Sequence, residues 1–485
     1  MKIAARVAIA VLVVAYASLL LRNLSWAAGG ADSSGYLNEA RMIRRGQMRV
    51  PIPLMSQLRV GSDWAEVFTP LGFGADWKDR RLMVPLYPPG LPAHFAVAGA
   101  IGGFTRGPFL IPPLAGILSL LLMIAIGRQL GLTDWQSIAA AAILGASAVF
   151  LFMTAQPMSD VVATAWTLAM IALALATHGN ATLQPARRRP GAGSTSALAG
   201  AAFAISVCVR PSNVLMAIPL AVALRFRIRA LLLAAAAAVP IGIALMLWNH
   251  TLYGSYFSTG YGSMRELLAW SYPRQRLPHY SFWLAAQFSP LVFPGGLFAA
   301  FDRRIDRWHR ALLVSWFFPL FAFYCFYDSY DTWWYTRFLL PAIPPLILGF
   351  FLIVRRLPKA AMAIGVIIAL GVAVWQDNRL HPLTVGADES IYTDTMRWVG
   401  GQLPHDAIVL AFQFSGSFFF YLDRDTVRYD GLDANRFEEL RAYAGAANLR
   451  WYAVLMDWEM ERFHLPGKWT PIGKNRDVML LRLDN

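Results

Sequence analysis

The sequence predicts an α-helical polytopic membrane protein with about eleven transmembrane helices and a small C-terminal α/β soluble domain. Hydrophobic residues make up 57% of the 485 residues and charged residues only 15%, whereas soluble domains carry about 25% charged residues. The mean hydropathy of +0.45 agrees with this excess. Several runs of at least about 17 nearly uncharged residues are long enough to cross a hydrocarbon core of about 30 Å.

Eleven apolar runs account for the predicted spans. The first run is longer than the apolar stretch of about 7–15 residues in a signal peptide, so we expect an uncleaved first helix. The runs cover residues 4–21, 108–127, 136–154, 158–177, 196–209, 211–224, 229–249, 281–300, 310–327, 338–354 and 360–376.

Basic residues between the runs predict the orientation of the chain. With the N-terminus in the cytoplasm, every strongly basic group falls inside and the C-terminal segment falls outside, as the positive-inside rule requires. The net charge of +14 therefore belongs to these loops, and no nucleic-acid partner is predicted. The groups are Arg128 and residues 187–189, 225–229, 302–310 and 355–359.

Two segments admit a second interpretation. Residues 88–104 are apolar but short and rich in Gly and Pro, which favours a re-entrant or interfacial segment. A single helix over 196–224 would place Arg210 at mid-bilayer, at a cost of about 2.5–3.5 kcal/mol, so we expect two short helices that break at Arg210-Pro211. The alternative counts 88–104 as a span and 196–224 as one helix, but places Arg128 and the 187–189 group outside.

Two domains are expected. Residues 1–376 form the transmembrane domain, which includes a long first outside loop over 23–87. Residues 377–485 are more polar, and their alternation of helical and strand patterns predicts a small α/β domain. The pattern predicts strands at 407–412, 451–456 and 477–483, and a helix at 433–446 with Asp433 near its N-cap.

Unusual polar residues collect on the predicted outer face. Carboxylates and arginines at an apolar boundary are costly and need partners. An arginine fork suits a phosphate because it donates two hydrogen bonds, and a carboxylate can take a proton from an acceptor. These residues are Asp32 and Glu39 after the first run, Asp160 in "QPMSD", Arg210 in "CVRPSN", and Tyr335 and Arg337 in "YDSYDTWWYTRF".

Each of these residues also has a purely structural interpretation. Asp32 can be solvated, and Asp160 can cap the helix that begins near Val161. Arg210 and Arg337 can snorkel to the membrane surface or form structural ion pairs. His250 is typical of an interfacial packing residue, and the aromatic residues around Tyr335 are typical of an interfacial belt.

The order of the motifs is more specific than any one of them. An aspartate followed by "YLNEA" opens the first outside loop, and "YPPG", "MSD", "VRPSN", "NHTLYGS" and "TRFLLPAIPP" follow in that order. Over about residues 5 to 355 the chain resembles the integral-membrane C-fold (GT-C) glycosyltransferases. That superfamily includes protein O-mannosyltransferases and the bacterial aminoarabinose transferase of lipid A.

The resemblance implies a mechanism and a set of site residues. Such enzymes move a sugar from a polyprenyl-phosphate carrier to a lipid, glycan or protein acceptor at the outer face of the membrane, here the bacterial inner membrane. By position, the resemblance makes Asp32 and Asp160 the catalytic candidates. Glu39 is the nearest substitute for Asp32, because seven residues separate the two and place them on the same helical face. The same resemblance implies that Arg210, Arg337 and Tyr335 bind the donor phosphate, and that Tyr36, Tyr87 and His250 line the substrate cavity.

The chain departs from the family pattern in two respects, and the first is that "LMVPLYPPG" has no carboxylate where some members have one shortly before Pro-Pro. Many members have two adjacent acidic residues in the first loop, whereas Ser33 follows Asp32 here. No cofactor is therefore predicted with certainty, and a divalent metal is left open. The chain also has no Gly-rich nucleotide fingerprint, as expected for a donor whose leaving group is a lipid phosphate.

Two other functions compete with glycosyl transfer. A secondary transporter would use broken helices and midplane polar residues, but the polar residues here cluster at one face and the two halves show no symmetry. A polymerase or ligase of surface polysaccharide would use lipid-linked sugars with a different motif order.

Overall fold

The computed structural model describes residues 3–177, 192–262 and 267–484. The chain forms two compact units. One unit comprises Met1–Leu24, Leu110–Leu245 and Ser263–Val385, and the other comprises Ser25–Phe109, Met246–Gly262 and Gly386–Asn485.

Six helices in the described part of the chain are long and apolar enough to cross a membrane. In two further cases, two consecutive helices reach this length and apolar character only when they are taken together, and each of these pairs is bent by 70°. Together with the shorter apolar helices they coincide with the predicted runs. The chain is therefore a multi-pass helical membrane protein, and the number of eleven spans stays a prediction. The six helices are Ile3–Asn23, Pro108–Gln129, Ser159–Ala176, Ile228–Tyr253, Pro273–Phe301 and Lys359–Leu380.

The remaining helices of the first unit are bent pairs or single segments. The bent pairs are Asp134–Gly145 with Ala148–Thr154, and Trp333–Ala342 with Pro344–Val354. The further helices are Ala192–Val209, Pro211–Met216, Ala217–Ala223 and Arg307–Cys325.

The predicted break at Arg210-Pro211 is confirmed. The helix Ala192–Val209 ends directly before Arg210, whose backbone is extended (φ −148°, ψ 107°), and a 3₁₀ helix begins at Pro211. Pro211 has no N–H to donate to a preceding turn, so the helix cannot continue through it. The alternative of one continuous helix over 196–224 is wrong.

The segment over 88–104 forms one short helix, Gly90–Gly102. Its 13 residues span about 20 Å at 1.5 Å per residue, which is less than a hydrocarbon core of about 30 Å. Its length therefore agrees with the predicted re-entrant or interfacial segment.

The C-terminal region forms the predicted α/β fold around a four-stranded sheet. The strands run in the order Ala407–Leu410, Arg450–Met456, Val478–Leu483 and Trp469–Asn475; the first pair is parallel and the other pairs are antiparallel. The last of these was not predicted, because Pro471 and Gly473 interrupt its pattern at a bulge. The helix Ala434–Ala446 begins as predicted, since the Asp433 carboxylate accepts a hydrogen bond from the Arg436 N–H at 2.8 Å.

Residues 23–87, which are predicted to form the first outside loop, are folded and share a core with the C-terminal region. Its strands Val50–Pro51, Leu82–Pro85 and Phe73–Ala75 form a small antiparallel sheet. Phe68 of the loop is buried in one hydrophobic cluster with Phe437 of the C-terminal region. The other helices of this unit are Asp32–Arg44, Pro53–Leu58, Ala65–Phe68, Ser390–Gly400, Ser415–Leu422 and Asp457–Met460.

The predicted orientation is testable with reporter fusions. Alkaline phosphatase folds only outside the cytoplasm, so a C-terminal fusion is expected to be active and a fusion near residue 190 inactive. Activity at residue 190 would support the alternative topology. The basic group at 187–189, on which this prediction partly rests, lies outside the described residues.

Candidate functional site

The helix Asp32–Arg44 places Asp32 in its first turn. At this end of a helix, the unpaired backbone N–H groups favour a negative charge. The Tyr87 hydroxyl donates a hydrogen bond to Asp32 Oδ1 at 2.7 Å. The Tyr87 ring lies 4.4 Å from the Tyr36 ring, so three predicted site residues come together around one carboxylate.

Two glycines allow Tyr87 to reach this position. A Cβ atom on Gly35 would lie 2.3 Å from the Tyr87 ring, and one on Gly72 would lie 2.7 Å from the Gly35 Cα atom. Gly72 also has a positive φ of 87°, which other residues rarely adopt. The backbones at Gly35 and Gly72 therefore approach closely beneath the Tyr87 ring, and a side chain at either position would displace it.

Glu39 lies two turns after Asp32 on the same helix but in a different environment. Its side chain is fully buried, and neither carboxyl oxygen has a hydrogen-bond partner among the described residues. Burial raises the pKa of Glu39 well above its usual range. Burial thus favours the neutral form of Glu39, in which the carboxyl group cannot take a proton from an acceptor.

His250 stacks on Tyr256 rather than on the Asp32 cluster. The two rings lie 4.3 Å apart and nearly parallel. The aromatic residue of this segment that contacts Tyr87 is Tyr261, with ring centroids 5.9 Å apart. The motif following the seventh apolar run thus supplies an aromatic neighbour to the Asp32 cluster, but it is Tyr261 and not the predicted His250.

In the other unit, Asp160 and Arg210 form a buried ion pair. Asp160 lies in the first turn of the helix Ser159–Ala176 and is only 1% exposed. Arg210 Nη1 contacts Asp160 Oδ1, and Arg210 Nε donates to the Tyr324 hydroxyl at 3.2 Å. Because the helix break at Pro211 turns the chain at this point, the guanidinium reaches a carboxylate 50 residues earlier in sequence.

Arg337 converges with Arg210 on one aromatic ring. The Arg210 guanidinium carbon lies 4.8 Å from the centroid of the Phe338 ring, and that of Arg337 lies 5.3 Å from the same centroid. Arg337 also lies 5.3 Å from the Tyr335 ring. Each distance is within the range of about 6 Å for a cation–π contact. Two predicted phosphate-binding arginines and Tyr335 are thus brought together around Phe338.

Sequence patterns missed the aromatic side chains that organise these two arginines. Tyr324 and Phe338 stack with ring centroids 5.0 Å apart, and the Ser212 hydroxyl lies 2.6 Å from that of Tyr324. Both aromatic residues lie in strongly apolar stretches, where nothing in the sequence separates a site residue from a packing residue.

Arg276 was also missed. It is 6% exposed and pairs with Asp331 and, at 3.8 Å, with Asp328. Both aspartates lie in the "YDSYDTWWYTRF" stretch, and the structure pairs both with this buried arginine.

The residues do not fit a metal site. Among the described residues, no group of three or more His, Cys, Asp or Glu side chains is placed to hold a metal ion. Asp32 is followed by a serine and accepts a hydrogen bond from Tyr87, and burial of Glu39 raises its pKa, which disfavours the charged form that a metal ion would need. The chemistry proposed below accordingly uses only the side chains of the chain itself.

Three structures of two glycosyltransferases are similar to the chain. ArnT from Cupriavidus metallidurans bound to undecaprenyl phosphate covers 98% of this chain and 97% of its own, with a TM-score of 0.60 and 14% identity; its apo form gives 0.61 and 13%. The archaeal oligosaccharyltransferase AglB from Archaeoglobus fulgidus, in complex with an inhibitory peptide and a dolichol-phosphate, covers 93% of this chain and 70% of its own, with a TM-score of 0.55 and 12% identity. No protein-family model and no curated protein matches.

The likeness to ArnT extends over nearly the whole of both chains, membrane helices and soluble region included. Because the sequence identity is only 12–14%, this likeness shows a shared fold and nothing about the reaction. ArnT and AglB are both GT-C glycosyltransferases. The chain therefore has the GT-C glycosyltransferase fold that its motif order implied.

Proposed function

We propose that this protein is a membrane glycosyltransferase that moves a sugar from a polyprenyl-phosphate carrier to an acceptor at the outer face of the bacterial inner membrane. The observation that carries the proposal is the convergence of Arg210 and Arg337 on Phe338. Two guanidiniums at an apolar boundary suit an anionic lipid headgroup.

The fold comparison supports the same class of donor. The ArnT structure contains undecaprenyl phosphate and the AglB structure contains a dolichol-phosphate, both polyprenyl phosphates. A carrier of this class has one charged group at the end of a long apolar chain. A protein that binds it needs arginines beside apolar helices, as found at Arg210 and Arg337, and needs no nucleotide-binding loop.

In the proposed reaction, the Asp32 carboxylate takes the proton from the acceptor hydroxyl or amine. The acceptor atom then bonds to the anomeric carbon of the sugar, and the bond between that carbon and the phosphate oxygen breaks. The bonding electrons leave with the polyprenyl phosphate, which gains one negative charge. Arg210 and Arg337 stabilise that developing charge, and Tyr87 orients the Asp32 carboxylate.

The roles of the two acidic residues on the helix Asp32–Arg44 follow from their surroundings. Asp32 is half-exposed and engages a hydroxyl, so an acceptor can reach it. Glu39 is fully buried, and its raised pKa favours the neutral form. We therefore assign the base to Asp32 and only a packing role to Glu39. Asp160 holds Arg210 in place through their ion pair.

The proposal is tested by comparing lipids and envelope glycans with and without the gene by mass spectrometry. Loss of the gene is expected to accumulate one polyprenyl-phosphate sugar and to remove the same sugar from one envelope component. Membranes of the deletion strain then supply both donor and acceptor for purified protein in detergent. Because detergent abolishes compartments, a transporter would form no product there, and that result would overturn the proposal.

A further inference from the structure

The segment before Asp32, residues 28–31, is held by side chains of the C-terminal region. The Ala28 N–H donates to the Tyr421 hydroxyl at 2.8 Å, and the Ser417 hydroxyl donates to the Ala28 carbonyl at 2.7 Å. The backbone of Gly30 hydrogen-bonds the Tyr392 hydroxyl, which also accepts from the Gln413 side-chain amide at 3.0 Å. We call this segment the strap.

The side chains around the strap leave no room for a larger residue at Gly29. A Cβ atom on Gly29 would lie 2.3 Å from Glu389 Oε2 and 2.4 Å from the Tyr392 ring. Gly30 has a positive φ of 53°, a conformation that glycine adopts at little cost. The strap is thus both hydrogen-bonded and sterically confined by Tyr392.

The strap in turn is bonded to the first turn of the helix that carries Asp32. The Ser34 N–H donates to the Gly29 carbonyl at 3.1 Å, and the Gly35 N–H donates to the Ala31 carbonyl at 3.0 Å. Each of these bonds joins a residue before Asp32 to a residue after it. A shift of the strap therefore moves the backbone of Asp32 with it.

The helix Ser415–Leu422 fixes the same helix along its length. A Cβ atom on Gly416 would lie 2.0 Å from the Ser34 hydroxyl oxygen, so the two helices touch at this point. The Asn38 side-chain amide donates to the Gly416 carbonyl at 2.9 Å, and Arg41 donates to the Phe420 carbonyl at 2.6 Å. The C-terminal region therefore orients the helix, while Tyr392 and Tyr421 set where its first turn begins.

From these contacts we infer that the C-terminal region positions the catalytic carboxylate, with Tyr392 and Tyr421 as positioning residues that act on Asp32 through the strap. This inference rests on the proposed role of Asp32. The two hydroxyls touch the chain before Asp32 and not the carboxylate itself, so their loss should misplace the base without changing its chemistry. A misplacement of about 1 Å in a reacting group can cost about 100-fold in rate.

The test replaces each tyrosine by phenylalanine, which removes the hydroxyl and keeps the ring. Tyr392→Phe and Tyr421→Phe are expected to lower kcat for sugar transfer by about 10- to 100-fold, with the apparent KM for the donor unchanged. Tyr429→Phe is the matched control. Tyr429 is a buried tyrosine of the same region that hydrogen-bonds Glu459 at 3.2 Å and is not in the strap contacts, so its variant should keep normal kcat.

A double-mutant cycle separates positioning of Asp32 from general damage to the fold. In an Asp32→Asn background, neither tyrosine substitution should lower the residual transfer further, because the group they position is gone. Normal kcat in both single tyrosine variants, or an equal loss in the Tyr429 control, would overturn the inference. Near-normal transfer by Asp32→Asn alone would instead overturn the proposed role of Asp32, so the two failures are distinguishable.

Discussion

Asp32→Asn is expected to lower the rate of sugar transfer by about 100- to 10,000-fold, the usual contribution of a general base. Asparagine keeps the shape of the side chain and can still accept the hydrogen bond from Tyr87. It cannot take a proton from the acceptor, because its oxygen belongs to an amide. Binding of undecaprenyl phosphate by the purified variant should stay at the level of the unchanged protein, since that step does not use the base.

Glu39→Gln is the matched comparison for this prediction. Burial raises the pKa of Glu39 and so favours its neutral form, and glutamine has nearly the same shape and no charge. Transfer should therefore remain near normal in this variant. Near-normal transfer by Asp32→Asn would remove Asp32 from the mechanism, and a loss confined to Glu39→Gln would assign the base to Glu39.

The sequence predicted those features that depend on local pattern. Hydropathy predicted the helical membrane class, and Pro211 predicted the helix break that turns Arg210 towards Asp160. Alternation predicted three of the four C-terminal strands. The strand Trp469–Asn475 was missed because Pro471 and Gly473 interrupt its pattern, an arrangement that an edge strand tolerates.

The burial and the tertiary contacts of individual side chains, by contrast, could not be predicted from residue type. Asp32 and Glu39 are both carboxylates on one helix, and only tertiary packing makes one half-exposed and the other fully buried. Tyr392 and Tyr421 lie more than 350 residues after the strap that they hold and carry no motif. Their role depends on the folding of the C-terminal region against the first outside loop, for which a single sequence offers no periodicity.

The second large effect is expected at Arg210. Arg210→Lys keeps the positive charge but replaces the planar fork, so it can no longer serve Asp160, the Tyr324 hydroxyl and a phosphate together. Loss of a hydrogen bond to a charged group costs about 1.5–3 kcal/mol, which corresponds to about 10- to 100-fold weaker binding. We expect the purified Arg210→Lys variant in nanodiscs to bind undecaprenyl phosphate more weakly by this factor.

The matched control is Arg356→Lys, because Arg356 also pairs with a carboxylate, Asp302, at 2.6 Å and is not assigned to the donor. It should bind undecaprenyl phosphate normally.

Lysine is preferable to alanine at Arg210 because Asp160 is buried. Removal of one partner from a buried ion pair costs about 3–5 kcal/mol in stability, which would confuse a folding defect with a binding defect. The alanine change is therefore made together with Asp160→Asn, which leaves no uncompensated charge.

Arg337→Lys provides the final test of a shared ligand. If both arginines hold one phosphate beside Phe338, the double lysine variant should lose less affinity than the sum of the two single losses, because residues that share a partner are not additive. Additive losses would mean separate ligands. Unchanged affinity after alanine replacement of Arg210 and Arg337, with Asp160→Asn present, would show that the carrier phosphate binds elsewhere.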